Sequence, residues 1–269
     1  MATTFWIVDT FSSVPFGGTS AAVLLTEKLD DEITLQNVAM EINAHETIFA
    51  KDLGNRNFEA KTFTRNRKGL YFGNSLYALS KIISNNNPKL RDFNIICGIR
   101  NFVVNINDRD EISIRFSKVE TKRVSPPANI SAALDKEIIV SIAECKDELI
   151  VEIRSPKRLK NINPNMDVIK HLGYNSYIIT TDTHYEEQTD YDYCAVVYAP
   201  NLGVFKGILT PIAQAKLASY WQDRMEKKDL IGIHCDNEKE SKFKIKIDND
   251  FTIITGNCNI TTEGEMLVF

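Results

Sequence analysis

Residues Phe5 to Phe11 run apolar or alternate as a strand, and Ala21 to Leu25 read as a second one, with Pro15, Gly17 and Gly18 marking the turn between them. The spacing of Leu35, Val38, Ala39 and Ile42 predicts a helix opened by the acids Asp30, Asp31 and Glu32 and ending near Asn43. Thr47 to Ala50 and Phe58 to Phe63 follow as strands. Leu76, Leu79, Ile82 and Ile83 then predict a second helix that buries one broad face, with Gly73, Asn74 and Ser75 at its first turn. Strands at Ile95 to Cys97, Phe102 to Ile106 and Ile112 to Phe116 finish this half.

Thr121 to Ala133 carries Pro126-Pro127 and few large apolar groups, so the boundary between two halves is placed there. Beyond it the pattern predicts strands at Ile138 to Ile142, Leu149 to Ile153, Ser176 to Thr181 and Tyr193 to Tyr198, with a helical turn near Met166 to Leu172. A helix containing Ile212, Ala213, Lys216, Leu217 and Trp221 comes next. Lys242, Lys244 and Lys246 alternate with Phe243, Ile245 and Ile247 as a half-exposed strand does, and strands at Phe251 to Ile254 and Met266 to Phe269 close the chain. The two halves repeat one unit. Phe63-Thr64-Arg65-Asn66 leads through Gly69 and Gly73 to an apolar helix, and Tyr198-Ala199-Pro200-Asn201 leads through Gly203 and Gly207 to another. Two such copies predict two similar lobes whose helix starts face each other across a cleft.

The bulk numbers narrow the function. The chain has 269 residues, of which 43% are hydrophobic and 25% charged, the balance of a globular protein with real cores. A net charge of -4 argues against nucleic acid or an anionic membrane as partner. The basic group Arg65-Asn66-Arg67-Lys68 has no interleaved aromatics and reads as a solvated loop. No apolar run approaches the roughly 20 residues of a membrane span, and the first residues lack a basic lead, so a cytoplasmic protein is expected. Five cysteines without a Cys-x-x-Cys pair suit reduced core thiols. His45-Glu46 would open a zinc helix only if Phe49 were histidine, so no metal is expected; His171, His184 and His234 are dispersed.

Two places carry candidate chemistry, each beside a plainer reading: the Gly73 turn as the start of a capped core helix with Asn74 or Ser75 as N-cap, and Glu46 as a surface glutamate beside a strand. A Gly-Asn-Ser entry to a helix leaves backbone N–H groups pointing outward, and with the positive end of the helix dipole they favour a carboxylate or phosphate. Glu46 lies at an element junction. A desolvated carboxylate there can take and return a proton on one face of a substrate.

Several segments resemble the phenazine-biosynthesis PhzF family, whose members share the diaminopimelate epimerase-like fold. The likeness rests on Val8-Asp9-Thr10-Phe11, on Phe16-Gly17-Gly18-Thr19-Ser20-Ala21-Ala22-Val23, on Asn43-Ala44-His45-Glu46-Thr47-Ile48-Phe49, and on Phe63-Thr64-Arg65 before Phe72-Gly73-Asn74-Ser75-Leu76. It implies an α+β fold of two similar lobes, each a mostly antiparallel sheet or barrel wrapped around a central helix. The first lobe spans residues 1–120 with a closing strand at about 262–269, and the second spans 128–261. The resemblance also implies a cofactor-independent isomerase or epimerase that moves a proton on a small carboxylate-bearing metabolite. Glu46 is then the acid/base, and Gly73, Asn74, Ser75 and Thr210 bind substrate. A homodimer is the partner state it suggests.

The departures are specific. Asn74 stands where the family has histidine, and Lys206 to Ile212 replaces an acidic Gly-Ser motif, keeping only Thr210. Pro211 has no N–H to donate, and Ile208, Leu209 and Ile212 make an apolar wall suited to a less polar molecule. Facing cysteines, as in diaminopimelate epimerase, are excluded because Phe72 and Gly207 hold those places. A catalytically inactive relative, retained as a ligand sensor or interaction scaffold, is the alternative.

Overall fold

The computed structural model describes residues 3–29, 31–65, 73–183, 189–202, 204–207, 209–234 and 241–267. Of the positions singled out above, Asp30, Asn66, Arg67, Lys68, Gly69, Phe72, His184, Gly203, Ile208, Cys235 and Phe269 lie outside the described residues. The chain divides into two compact units, one of Met1–Phe116 with Ile253–Phe269 and the other of Ser117–Thr252.

Unit 1 opens with β1 (Thr3–Thr10) and β2 (Thr19–Leu25), an antiparallel pair. Helix α1 (Glu32–Ile42) crosses to β3 (Glu46–Gly54), which runs parallel to β2, and β4 (Asn57–Phe63) returns antiparallel. Helix α2 (Asn74–Asn86) crosses to β5 (Asp92–Cys97), parallel to β4, before β6 (Arg100–Ile106) and β7 (Ile112–Ser117) continue as antiparallel neighbours. The caps of α1 fall where the pattern puts them. Asp31 accepts the Thr34 N–H at 3.1 Å, and Asn43 ends the helix in the left-handed region.

Unit 2 holds β8 (Lys122–Arg123), α3 (Ile130–Ala133), β9 (Ile139–Cys145) and β10 (Glu148–Ile153), then α4 (Pro156–Lys160) and α5 (Met166–Lys170). It continues with β11 (Ser176–Asp182), β12 (Tyr193–Ala199), β13 (Val204–Gly207), α6 (Pro211–Met225), β14 (Asp229–His234) and β15 (Lys242–Ile247). β16 (Phe251–Gly256) begins at the unit boundary, and β17 (Cys258–Met266) belongs to unit 1. The repeat read from the sequence is present in the pairing. β10 and β11 are parallel, β11 and β12 antiparallel, β12 and β14 parallel across α6, and β14 and β15 antiparallel, step for step as β2 to β6 pair in unit 1.

Three expectations change. Helix α2 was expected to bury one face, yet Asn74 to Ser80, Ile82 and Ile83 are all buried. Strands β1, β2, β3 and β17 all pack against it, so even Ser75 and Ser80 are inside. The closing strand is β17, not Met266 to Phe269. Its CNITTEGEM sequence lacks an apolar pattern, and it is held by eight ladder partners on β1, from Thr3 opposite Met266 to Thr10 opposite Cys258. β14 was not among the predicted strands. A Cβ at Gly232 would lie 2.6 Å from the Tyr193 ring, so packing, not a turn, requires the glycine.

Val8-Asp9-Thr10-Phe11 does structural work in unit 1. Asp9 is 2% exposed and accepts the Phe16 N–H at 2.7 Å and the Ser20 hydroxyl at 2.9 Å, which closes the loop between β1 and β2. Phe11 lies 4.5 Å from the Tyr77 ring, and Tyr77 donates to the Ile254 carbonyl at 2.8 Å. These contacts set the start of α2 against β1 and β16.

Candidate functional site

Glu46 is the first residue of β3 and is 0% exposed, while His45 before it is exposed. Strand alternation separates the two, as the sequence implies. In β3, Glu46, Ile48 and Ala50 share the side facing α2, and Phe49 packs with Leu24, Leu35 and Val38 instead. The carboxylate reaches the first turn of α2, 27 and 29 residues further on. One oxygen accepts the Gly73 N–H at 3.3 Å and the other accepts the Ser75 N–H at 3.0 Å.

This geometry explains the glycine. Gly73 is the N-cap of α2 with φ 97°, a left-handed conformation that a side chain resists, and it has no side chain with which to cap. Glu46 fills that role from another strand. Neither Asn74 nor Ser75 is the N-cap; both are helical and buried, at 2% and 0% exposed. Two of the amides expected to point outward toward a ligand anion are instead directed at a protein carboxylate.

What surrounds that carboxylate is unusual. Among the described residues of unit 1, the buried side-chain polar atoms without a hydrogen-bond partner are Thr47 Oγ1, Asn74 Oδ1 and Ser75 Oγ. Asn74 and Ser75 sit on the helix turn that Glu46 caps, while Thr47 follows Glu46 in β3 and lies on the opposite face of the strand. Buried polar groups normally find partners; the described residues of unit 2 hold four further exceptions, Gln214 Nε2, Ser219 Oγ and Gln222 Oε1 on α6 and Thr252 Oγ1.

Cys97, at the end of β5, is electrostatically tied to it. Its thiol is pushed up to about 12, first by burial and then by the negative charge of Glu46, with Arg100 opposing. Removing the charge should ease ionisation. In Glu46→Gln, alkylation of Cys97 by N-ethylmaleimide at mildly alkaline pH is expected to speed up, because the thiolate is the reactive form. Peptide mass spectrometry reads the site, and an unchanged rate would place the two groups outside each other's field.

In unit 2, Thr210 is the N-cap of α6, its hydroxyl accepting the Ala213 N–H at 3.2 Å, and Pro211 takes the first helical position. Leu209 is fully buried and Ile212 half-buried. Two features here escaped the sequence. His234 ends β14, is 4% exposed, and its Nδ1 accepts the Leu209 N–H at 3.3 Å just ahead of the helix. Matching the two repeats strand by strand would have found it, since β14 occupies in unit 2 the place of β5 in unit 1. The second is a seam between α6 and β10. Glu152, 4% exposed, accepts from Tyr220 at 2.5 Å and from Arg224 at 2.8 Å, and Lys216 pairs with Glu148 one turn earlier.

No group of three or more His, Cys, Asp or Glu able to hold a metal ion occurs among the described residues. A hollow of about 460 Å³ in unit 1 lies by Asn86 and Asn87, at the opposite end of α2 from Glu46. It is not the site of the carboxylate.

A family model described as phenazine biosynthesis-like protein, PhzC-PhzF, matches residues 8–264. The chain belongs to this family. An uncharacterized isomerase of Halalkalibacterium halodurans is 24% identical over 270 residues, covering 100% of both chains. The crystal structure of a PhzF-family protein from Enterococcus faecalis superposes with a TM-score of 0.89 at 21% identity, covering 100% of both chains. A predicted epimerase from Pseudomonas aeruginosa gives 0.76 at 13% identity, covering 99% of this chain and 100% of its own. The fold is the α+β, two-lobed architecture of PhzF and epimerase-like proteins. No described helix of this PhzF-family chain is long and apolar enough to cross a membrane.

Proposed function

We propose that this PhzF-family chain is an isomerase that moves a proton on a small carboxylate-bearing metabolite, with Glu46 as the acid/base. The observation that carries the reading is a carboxylate fully removed from water, with each oxygen fixed by a backbone N–H of α2. Those two N–H contacts fix the orientation of the group, and a desolvated carboxylate held in one orientation suits taking a proton from a substrate carbon and returning it on the same face. Relatives described as isomerases support the same class of reaction. Thr210 and the apolar residues near it are assigned to the substrate by the resemblance alone.

A second reading has an observation of its own. Glu46 replaces the missing cap of α2, so the residue could be kept for stability in an inactive ligand sensor. One experiment separates the two. A metabolite screen by thermal shift is followed by NMR of each hit in deuterated water. Solvent deuterium entering the ligand with wild type but not with Glu46→Gln supports the isomerase; binding without any exchange supports the sensor.

A further inference from the structure

We propose that the first turn of α2 recognises a hydrogen-bond donor on its ligand, a hydroxyl or an ammonium group, through Asn74 and Ser75. The inference rests on the reading of this junction as a substrate site, and it assigns the chemistry that the Glu46 geometry leaves open. Glu46 takes the N–H groups of Gly73 and Ser75. The turn's anion-binding donors are thus aimed at a carboxylate the protein supplies itself. Asn74 Oδ1 and Ser75 Oγ remain, both buried and without partner. An amide oxygen can only accept, whereas a serine hydroxyl accepts through two lone pairs and also donates one O–H. A second carboxylate here would meet the Asn74 acceptor and the charge of Glu46, with only the Ser75 O–H to hold it. A ligand N–H or O–H satisfies the acceptors, and an ammonium gains from Glu46 as well.

Asn74 is then a specificity-determining residue with an unusual signature. An unpaired buried oxygen costs stability, so Asn74→Ala leaves Tm unchanged or raises it in the ligand-free protein, whereas a structural asparagine would lower it.

Four three-carbon acids that differ only at the second carbon serve as probes: lactate and alanine carry a donor there, and propionate and pyruvate do not. By ligand-observed NMR titration, lactate and alanine are expected to bind about tenfold more tightly than the other two, the value of one buried hydrogen bond. Asn74→Ala together with Ser75→Ala should bring the four to near equality. Equal binding of all four by wild type, binding of none, or a preference that survives both substitutions overturns the proposal. So does a Tm lowered by Asn74→Ala. Its failure is distinct from failure of the acid/base assignment: a donor preference that persists in Glu46→Gln without deuterium exchange in wild type sinks only the latter.

Discussion

Glu46→Leu should lower the stability of unit 1 by about 3 kcal/mol, because it leaves two buried N–H donors at the start of α2 without an acceptor, at roughly 1–3 kcal/mol each. For a chain of this size that is a fall in Tm of roughly 6–12 °C, readable by circular dichroism. Glu46→Gln behaves differently. Its amide oxygen can still accept the Ser75 N–H, so it should cost only about 1 kcal/mol. Catalysis separates from capping at this pair of variants. If Glu46 is the acid/base, the deuterium exchange rate falls at least a hundredfold in Glu46→Gln, the usual worth of a positioned proton-transfer group, while most of the stability remains. Exchange in Glu46→Gln at the wild-type rate would end the assignment. A Glu46→Leu protein as stable as wild type would remove the capping role, and with it the physical account of why the carboxylate is buried there.

The parts of this fold that were legible share one property: their cause lies within a few residues. Asp31 and Asn43 bracket α1 because capping is local, and Gly73 marks the start of α2 because the chain turns left-handed at that residue. The paired halves were visible for the same reason. Strand β17 was not, since CNITTEGEM carries no period-2 apolar pattern and its partners on β1 lie about 250 residues away in sequence, such as Ile7, whose carbonyl accepts the Thr261 hydroxyl with a separation of 254. The site divides in the same way. Glu46 and the α2 turn could each be singled out, yet their union is a tertiary contact, and it changed the turn from an open anion cradle to one already occupied. The Glu152, Tyr220 and Arg224 seam spans separations of 68 and 72, and no spacing rule reaches that far.

Raising the pH above about 9 should destabilise the protein through its buried weak acids. Burial pushes the Cys258 thiol from an ordinary 9.0 to about 12, with Asp9 adding to the rise and Lys81 opposing it. Tyr77 and Tyr193 are raised too, again chiefly by burial. The sign follows from proton counting. Above pH 9 the unfolded chain gives up the Cys258 proton and the folded chain keeps it, so the native state binds more protons and stability falls as pH rises, until the folded thiol ionises near 12. Each such group contributes a slope of about 1.4 kcal/mol per pH unit. Cys258 alone should therefore cost about 2 kcal/mol by pH 10.5, and the tyrosines join above their ordinary range near 10. Thermal melts from pH 7 to 11 under reducing conditions give the curve. In Cys258→Ala the fall between pH 9 and 10.5 should be shallower by that one slope, and an unchanged fall would show that Cys258 is not a source. Cys97 gives an internal check. Part of its rise comes from Glu46, so Glu46→Gln should trim the alkaline loss carried by Cys97. The Cys258 share, whose causes do not include Glu46, should stay as it was.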